Sequence, residues 1–177
     1  MEEKKDLLIK SAMSYGLGMG IFWVIKYLFF VFGYSTPSLV FIYQILCFAV
    51  PVIAYQMTKH YRQTIGGFIS FSHAWRFGLM LYFFAALIVS VEHYVFYQYI
   101  APPDFLNNMI NQAVTALKEA NMDSEVINSI NQTNFTPIHM TIQGIFNNIF
   151  YGIILSIPVA ALISRKKTIN TSTIIDK

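Results

Sequence analysis

Long apolar runs separated by short polar breaks dominate this chain. The central one, FGLMLYFFAALIVSV at residues 77–91, is followed at once by Glu92-His93 and resumes as far as Ile100. A helix needs about 20 apolar residues to cross hydrocarbon, because every backbone N–H and C=O must be satisfied within the segment. Four stretches have that length, at about 12–33, 38–58, 74–100 and 137–164, and they predict an all-α membrane protein, a four-transmembrane-helix bundle forming one polytopic domain over 1–177. The opening MEEKKDLLIK sets lysines ahead of an apolar run as a signal peptide would. That run is too long and lacks a small-residue cleavage site, so it is taken as the first span.

The breaks carry their own signals. Gly16 and Gly20 form a GxxxG pair in the first span, with Gly18 between them, and predict close helix packing rather than a dedicated dimer face. GYSTPS at 33–38 reads as a tight turn, and Pro51 removes the backbone donor that would have met the carbonyl of Cys47. Residues 58–72 read as a polar loop broken at Gly66-Gly67, with His60 and His73 as solvated loop or interface residues. Ala101-Pro102-Pro103 stops the third span, and Asp104 is placed to cap a new helix.

Between the third and fourth spans lies an insert, 102–136, of different character. Phe105, Leu106, Met109, Ile110, Ala113, Val114 and Leu117 recur at helical spacing and form one apolar face. A second short helix over 123–130 is anchored by Val126, Ile127 and Ile130. Such an amphipathic hairpin could lie on the membrane surface, fold back over the bundle or dock a partner. Thr136-Pro137 has the order of an N-cap and a first helical position, and Gly144, Asn148, Tyr151, Leu155 and Pro158 fall on one stripe of the fourth span.

Charge then orients the bundle. Of the 12 lysines and arginines, ten flank the predicted inner ends: Lys4, Lys5, Lys10, Lys59, Arg62, Arg76, Arg165, Lys166, Lys167 and Lys177. The insert holds only Lys118, and Lys26 lies inside a span. The positive-inside rule therefore puts both termini and the tail, 165–177, in the cytoplasm and makes the insert extracytoplasmic. Tyr34, Tyr94, Tyr97 and Tyr99 fall near the outer boundary, and Tyr15, Tyr55, Tyr61 and Trp75 near the inner one.

Composition excludes a water-soluble core: 55% of residues are hydrophobic and only 12% charged, too little polar surface to wrap a chain of this size. The basic residues are scattered, which argues against nucleic acid, and the single cysteine, Cys47, leaves no intrachain disulfide.

Four spans each carry a polar group at a similar depth. With a rise of about 1.5 Å per residue, Lys26, Gln44, Glu92 and Asn148 sit roughly 8–12 Å below the outer ends of their spans. Ionisable groups at that depth normally pair or face a wet interior. A Lys26–Glu92 ion pair is the expectation, with Gln44, His93, Asn147 and Asn148 completing a hydrogen-bonded layer. The alternative has Lys26 snorkelling outward alone. Glu92 shares a stripe with Ala85 and Gly78 at spacings of seven, which turns it toward a neighbouring helix; these two and Gly144 join Gly16 and Gly20 as packing positions. No second His, Cys or carboxylate stands at ligand spacing beside His93, so no metal and no cofactor are expected. No catalytic motif is present either.

Three segments, Tyr15-Gly16 with Gly20, GGFISFSHAWRFG at 66–78 and YIAPPDF at 99–105, resemble a bacterial inner-membrane family known as domain of unknown function 4199. The resemblance runs over nearly the whole chain and implies four spans and no known activity. Two functions are consistent with these features. One is a non-catalytic accessory or scaffolding component that meets a partner or lipid surface through its insert, or another copy of itself through its spans. The other is a small transporter or ion-conducting oligomer that uses the Lys26/Glu92 layer.

Overall fold

The computed structural model describes residues 2–33, 36–133 and 135–164. Tyr34 and the tail, 165–177, lie outside the described residues. Within them the chain is all helical: α1 (Glu2–Gly33), α2 (Pro37–Thr64), α3 (Phe71–Val95, continued by a π-helical turn over Phe96–Ile100), α4 (Phe105–Glu119), α5 (Ser124–Gln132) and α6 (Pro137–Ser164). Asp6–Gly33, Pro37–Thr64, Phe71–Ile100 and Pro137–Ser164 are each long and apolar enough to cross a membrane.

The boundaries correct several expectations. What reads as a loop from 58 is helix through Thr64, because the only strong breakers in the stretch are Gly66 and Gly67, both at positive φ (99° and 84°). Ser70 then caps α3 by accepting from the backbone N–H of His73 at 3.3 Å, so this helix starts three residues before 74. Asp104 occupies the N-cap position of α4 without a capping bond from its side chain. That role falls instead to Asp123, whose carboxylate accepts from Glu125 N–H at 2.9 Å to open α5. Thr136 does cap α6, its hydroxyl accepting from His139 N–H at 3.4 Å.

α3 is the hub. It packs along most of its length against α1 on one side and α6 on the other, and α2 closes the square against α1 and α6. Small residues make both α3 seams. A Cβ on Gly16 would stand 2.5 Å from Phe84 Cβ, and one on Gly20 would stand 2.6 Å from Ile88 Cβ, so α1 and α3 touch through the glycine face. The GxxxG surface is thus spent within the chain. On the other seam, a Cβ on Gly78 would meet Ser156 Oγ at 2.6 Å, and Gly152 lies directly against the Tyr82 side chain. The stripe of α6 that faces α3 runs through Gly144, Asn148, Gly152, Ser156 and Ala160, with a spacing of four. Tyr151, assigned to that stripe from the sequence, is exposed instead. Ala85 is fully buried between the seams.

Two apolar clusters result. One joins Met19, Trp23, Val50, Ala54, Leu81, Tyr82 and Val89 through mid-bundle. The other gathers Leu8, Ala12, Tyr61 and Phe77 at the end near the Gly66-Gly67 break. Outward positions are large and apolar; Phe48 is 81% exposed and Phe146 67%, a surface that only lipid or another protein covers without cost.

Candidate functional site

The predicted polar level resolves into one chamber and several outliers. Trp23, Lys26 and Tyr27 from α1, Tyr43 from α2, Val89 and His93 from α3 and Asn148 from α6 line a cavity of about 100 Å³. Gln44 and Asn147 are exposed on the outside of the bundle and do not join it. Each is one residue away from a lining residue, and one residue of helix is a rotation of about 100°.

The expected ion pair does not form. Lys26 Nζ lies 3.7 Å from Cys47 Sγ, and it stands 5.2 Å from the centre of the Tyr43 ring and 5.7 Å from that of Trp23. Aromatic faces carry the negative end of a quadrupole, so the ammonium is held by two rings and a soft sulfur rather than by a carboxylate. Both Glu92 oxygens are shielded and have no hydrogen-bond partner among the described residues.

His93 is set by its neighbours. Its ring meets Tyr27 edge-on at 4.2 Å, and the ring edge rests over Gly144, where an added Cβ would come within 3.2 Å of Nδ1. Gly144 is the socket that admits the imidazole into the α3–α6 seam. The Tyr27 hydroxyl donates to that of Tyr97 across 3.4 Å, and Phe96 and Tyr97 carry the aromatic contacts on to Phe105 at the start of α4. The chamber and the insert are therefore joined by one chain of rings. Trp23, Tyr27 and Tyr43 were missed in the sequence as site residues. Trp23 at i−3 from Lys26 shares its helix face and was within reach of the periodicity; Tyr43 on another helix was not.

The insert is a helical hairpin packed mainly on itself, with Val114 of α4 and Ile127 of α5 buried. Phe105, Leu106, Met109, Ile110 and Leu117 of the predicted apolar face are half-buried, and Ala113 is exposed. Between α4 and the end of α1 lies an open cleft of about 750 Å³, lined by Phe30, Phe105 and Met109, by the amides and hydroxyl of Asn108, Asn111, Gln112 and Thr115, and by Glu119.

At the opposite end a second polar group was also underestimated. Tyr61 is completely buried, stacks on Phe77 at 4.1 Å with 4° between the planes, and hydrogen-bonds His73 Nε2 at 2.8 Å. Tyr15 bonds His60 Nδ1 at 2.5 Å. His60, which stays exposed, and His73 thus stand on helices rather than in a loop and tie α2 to α1 and α3. Arg62 donates to the carbonyl of Ile163 at 2.8 Å and closes the end of α6, and Trp75 donates to Ile153 O at 3.4 Å.

A square of four apolar helices of bilayer-crossing length, with a polar chamber inside and a helical hairpin at one end, defines a multi-pass membrane protein of the all-helical class. The chain belongs to the family described as protein of unknown function (DUF4199), whose model matches residues 14–165. No curated protein and no solved structure matches the chain.

Proposed function

We propose that this protein is a non-catalytic accessory component of the bacterial inner membrane, with both termini cytoplasmic, whose α4–α5 hairpin engages a protein partner on the outer side. The observation that carries this reading is the cleft between α4 and α1. The hairpin has its own small core in Val114 and Ile127 and touches the bundle chiefly through aromatic contacts at Phe105. Amide side chains along the cleft offer donors and acceptors together, which suits a polypeptide backbone better than acyl chains. The orientation rests on the bias of lysine and arginine toward the opposite end.

A photoreactive residue at Gln112 or Thr115 in living cells tests the reading. One discrete protein adduct, lost when α4 and α5 are replaced by a short linker, is the expected outcome. Adducts with lipid alone, or the same adducts from a probe at Phe48, overturn it. Labelling of Ser129→Cys by an impermeant maleimide on intact cells, in a Cys47→Ala background, checks the side; reaction only after lysis refutes the orientation. A second reading, a small transporter or ion-conducting oligomer, draws on the Lys26 chamber and on Glu92. It requires Glu92→Gln to abolish a transport phenotype in a protein that remains folded, whereas the accessory reading assigns that change a cost in stability alone.

A further inference from the structure

We infer that the chamber at Lys26 is a binding site for a small monovalent anion, of halide to short-carboxylate size. The inference is independent of what the hairpin binds.

Three observations converge on it. Lys26 sits among the spans with no carboxylate of the described residues against its ammonium, and the groups that do touch it, two ring faces and a thiol, carry no formal charge. A cation held in low dielectric calls for a compensating charge, since the cost of removing it from water runs to several kcal/mol. Next, the lining is rich in donors and contains no acidic side chain: the Lys26 ammonium, the His93 ring and the Asn148 amide face one space, with the tyrosines at its wall. Finally, the indole N–H of Trp23 is buried with no hydrogen-bond partner among the described residues, in a residue only 5% exposed that lines the same space. A buried donor without a partner is uncommon enough to need an acceptor.

Size and charge narrow the ligand. Water occupies about 30 Å³ in the liquid, so a cavity of about 100 Å³ holds a halide with one or two waters, or one carboxylate group. One fixed cation selects one negative charge. A phosphate monoester brings more charge than the chamber balances.

Tryptophan fluorescence reads the site directly, because the chain has two tryptophans and Trp75→Phe leaves Trp23 as sole reporter. Bromide is titrated into the purified full chain in nanodiscs at constant ionic strength, against gluconate. Saturable quenching of Trp23 is expected, reversed by chloride or acetate; which of the two competes better assigns the ligand to halide or carboxylate. Lys26→Met should weaken the apparent affinity by about tenfold or more, the scale of one charge-assisted contact. Asn148→Leu should weaken it less, and Glu92→Gln, which removes a neighbouring negative charge and no lining group, should not weaken it. Linear quenching, or saturable quenching that neither Lys26→Met nor Asn148→Leu alters while circular dichroism shows folded protein, overturns the proposal. Should Lys26→Met fail to fold, Asn148→Leu and Lys26→Arg carry the test; Lys26→Arg retains the charge and should retain binding.

Discussion

Adding one methyl group at Gly20 should separate the α1–α3 seam, and adding it two residues earlier should not. At Gly20 the new Cβ would lie 2.6 Å from Ile88 Cβ, with Ile88 Cγ2 and Cγ1 at 3.0 and 3.1 Å. Ordinary carbon contacts are about 3.5–4.0 Å, so roughly 1 Å of separation is missing. Ile88 cannot yield by changing rotamer, because its Cβ is fixed by the α3 backbone. The helices themselves must move, and overpacking of this kind costs about 1–3 kcal/mol. At Gly18 the nearest atom is the mobile terminal methyl of Met57, 3.5 Å away, which is ordinary contact. Gly18→Ala should therefore be neutral or mildly stabilising. Helix propensity adds little to either variant, because spans stay helical when a bundle comes apart in detergent or lipid.

Reversible unfolding in mixed micelles, followed by circular dichroism and fluorescence, measures both. The sharper form is a double-mutant cycle. Ile88→Ala removes both Cγ atoms but leaves the Cβ that makes the closest clash, so it should relieve only a minor part of the cost of Gly20→Ala. Ile88→Gly removes that Cβ, so in its background Gly20→Ala should cost close to nothing. A Gly20→Ala protein as stable as the parent, or equal relief from Ile88→Ala and Ile88→Gly, would refute the seam as described.

Three further outcomes follow from the same geometry. Tyr61→Phe keeps the stack on Phe77 and loses the bond to His73, so it should cost about 1 kcal/mol, whereas Tyr61→Ala empties a fully buried ring site and should cost about 3–5 kcal/mol in the same unfolding assay. Arg62→Met frees the Ile163 carbonyl and should destabilise by about 1.5–3 kcal/mol, with faster amide exchange confined to the last turn of α6. Ile127→Asn should loosen the hairpin, seen as faster proteolysis within 105–132, and leave the unfolding midpoint of the bundle unchanged.

Lengths and depths were legible in the sequence; directions around each helix were only partly so. Four spans follow from apolar run length, and the 1.5 Å rise brought Lys26, Gln44, Glu92 and Asn148 to one level, of which Lys26 and Asn148 line the chamber. Gln44 from that count, and Asn147 added beside Asn148, are turned outward, because depth says nothing about which way a side chain points; His93, added beside Glu92, does line the chamber. Gly16 and Gly20 announced their seam through a spacing of four. The α6 stripe has that spacing too, but Ser156 and Ala160 are common residues and Gly152 stood among large ones, so a stripe through Tyr151 looked equally regular. The Lys26–Glu92 expectation failed for a related reason: opposite charges at one depth suggested each other, while the rings of Trp23 and Tyr43 were already in place to hold the ammonium. His73 and Tyr61 are twelve residues apart across a loop, and nothing short of the fold brings them together.

With α3 at the centre, the order of synthesis acquires meaning. When the first two helices leave the ribosome, the glycine face of α1 has no partner, and it stays uncovered until the third arrives. The last helix in turn, separated from α3 in the chain by the α4–α5 hairpin, packs on a face of α3 that is already present. Chain order thus makes α3 the piece on which both small-residue seams depend, the one from α1 before it and the one from α6 after it.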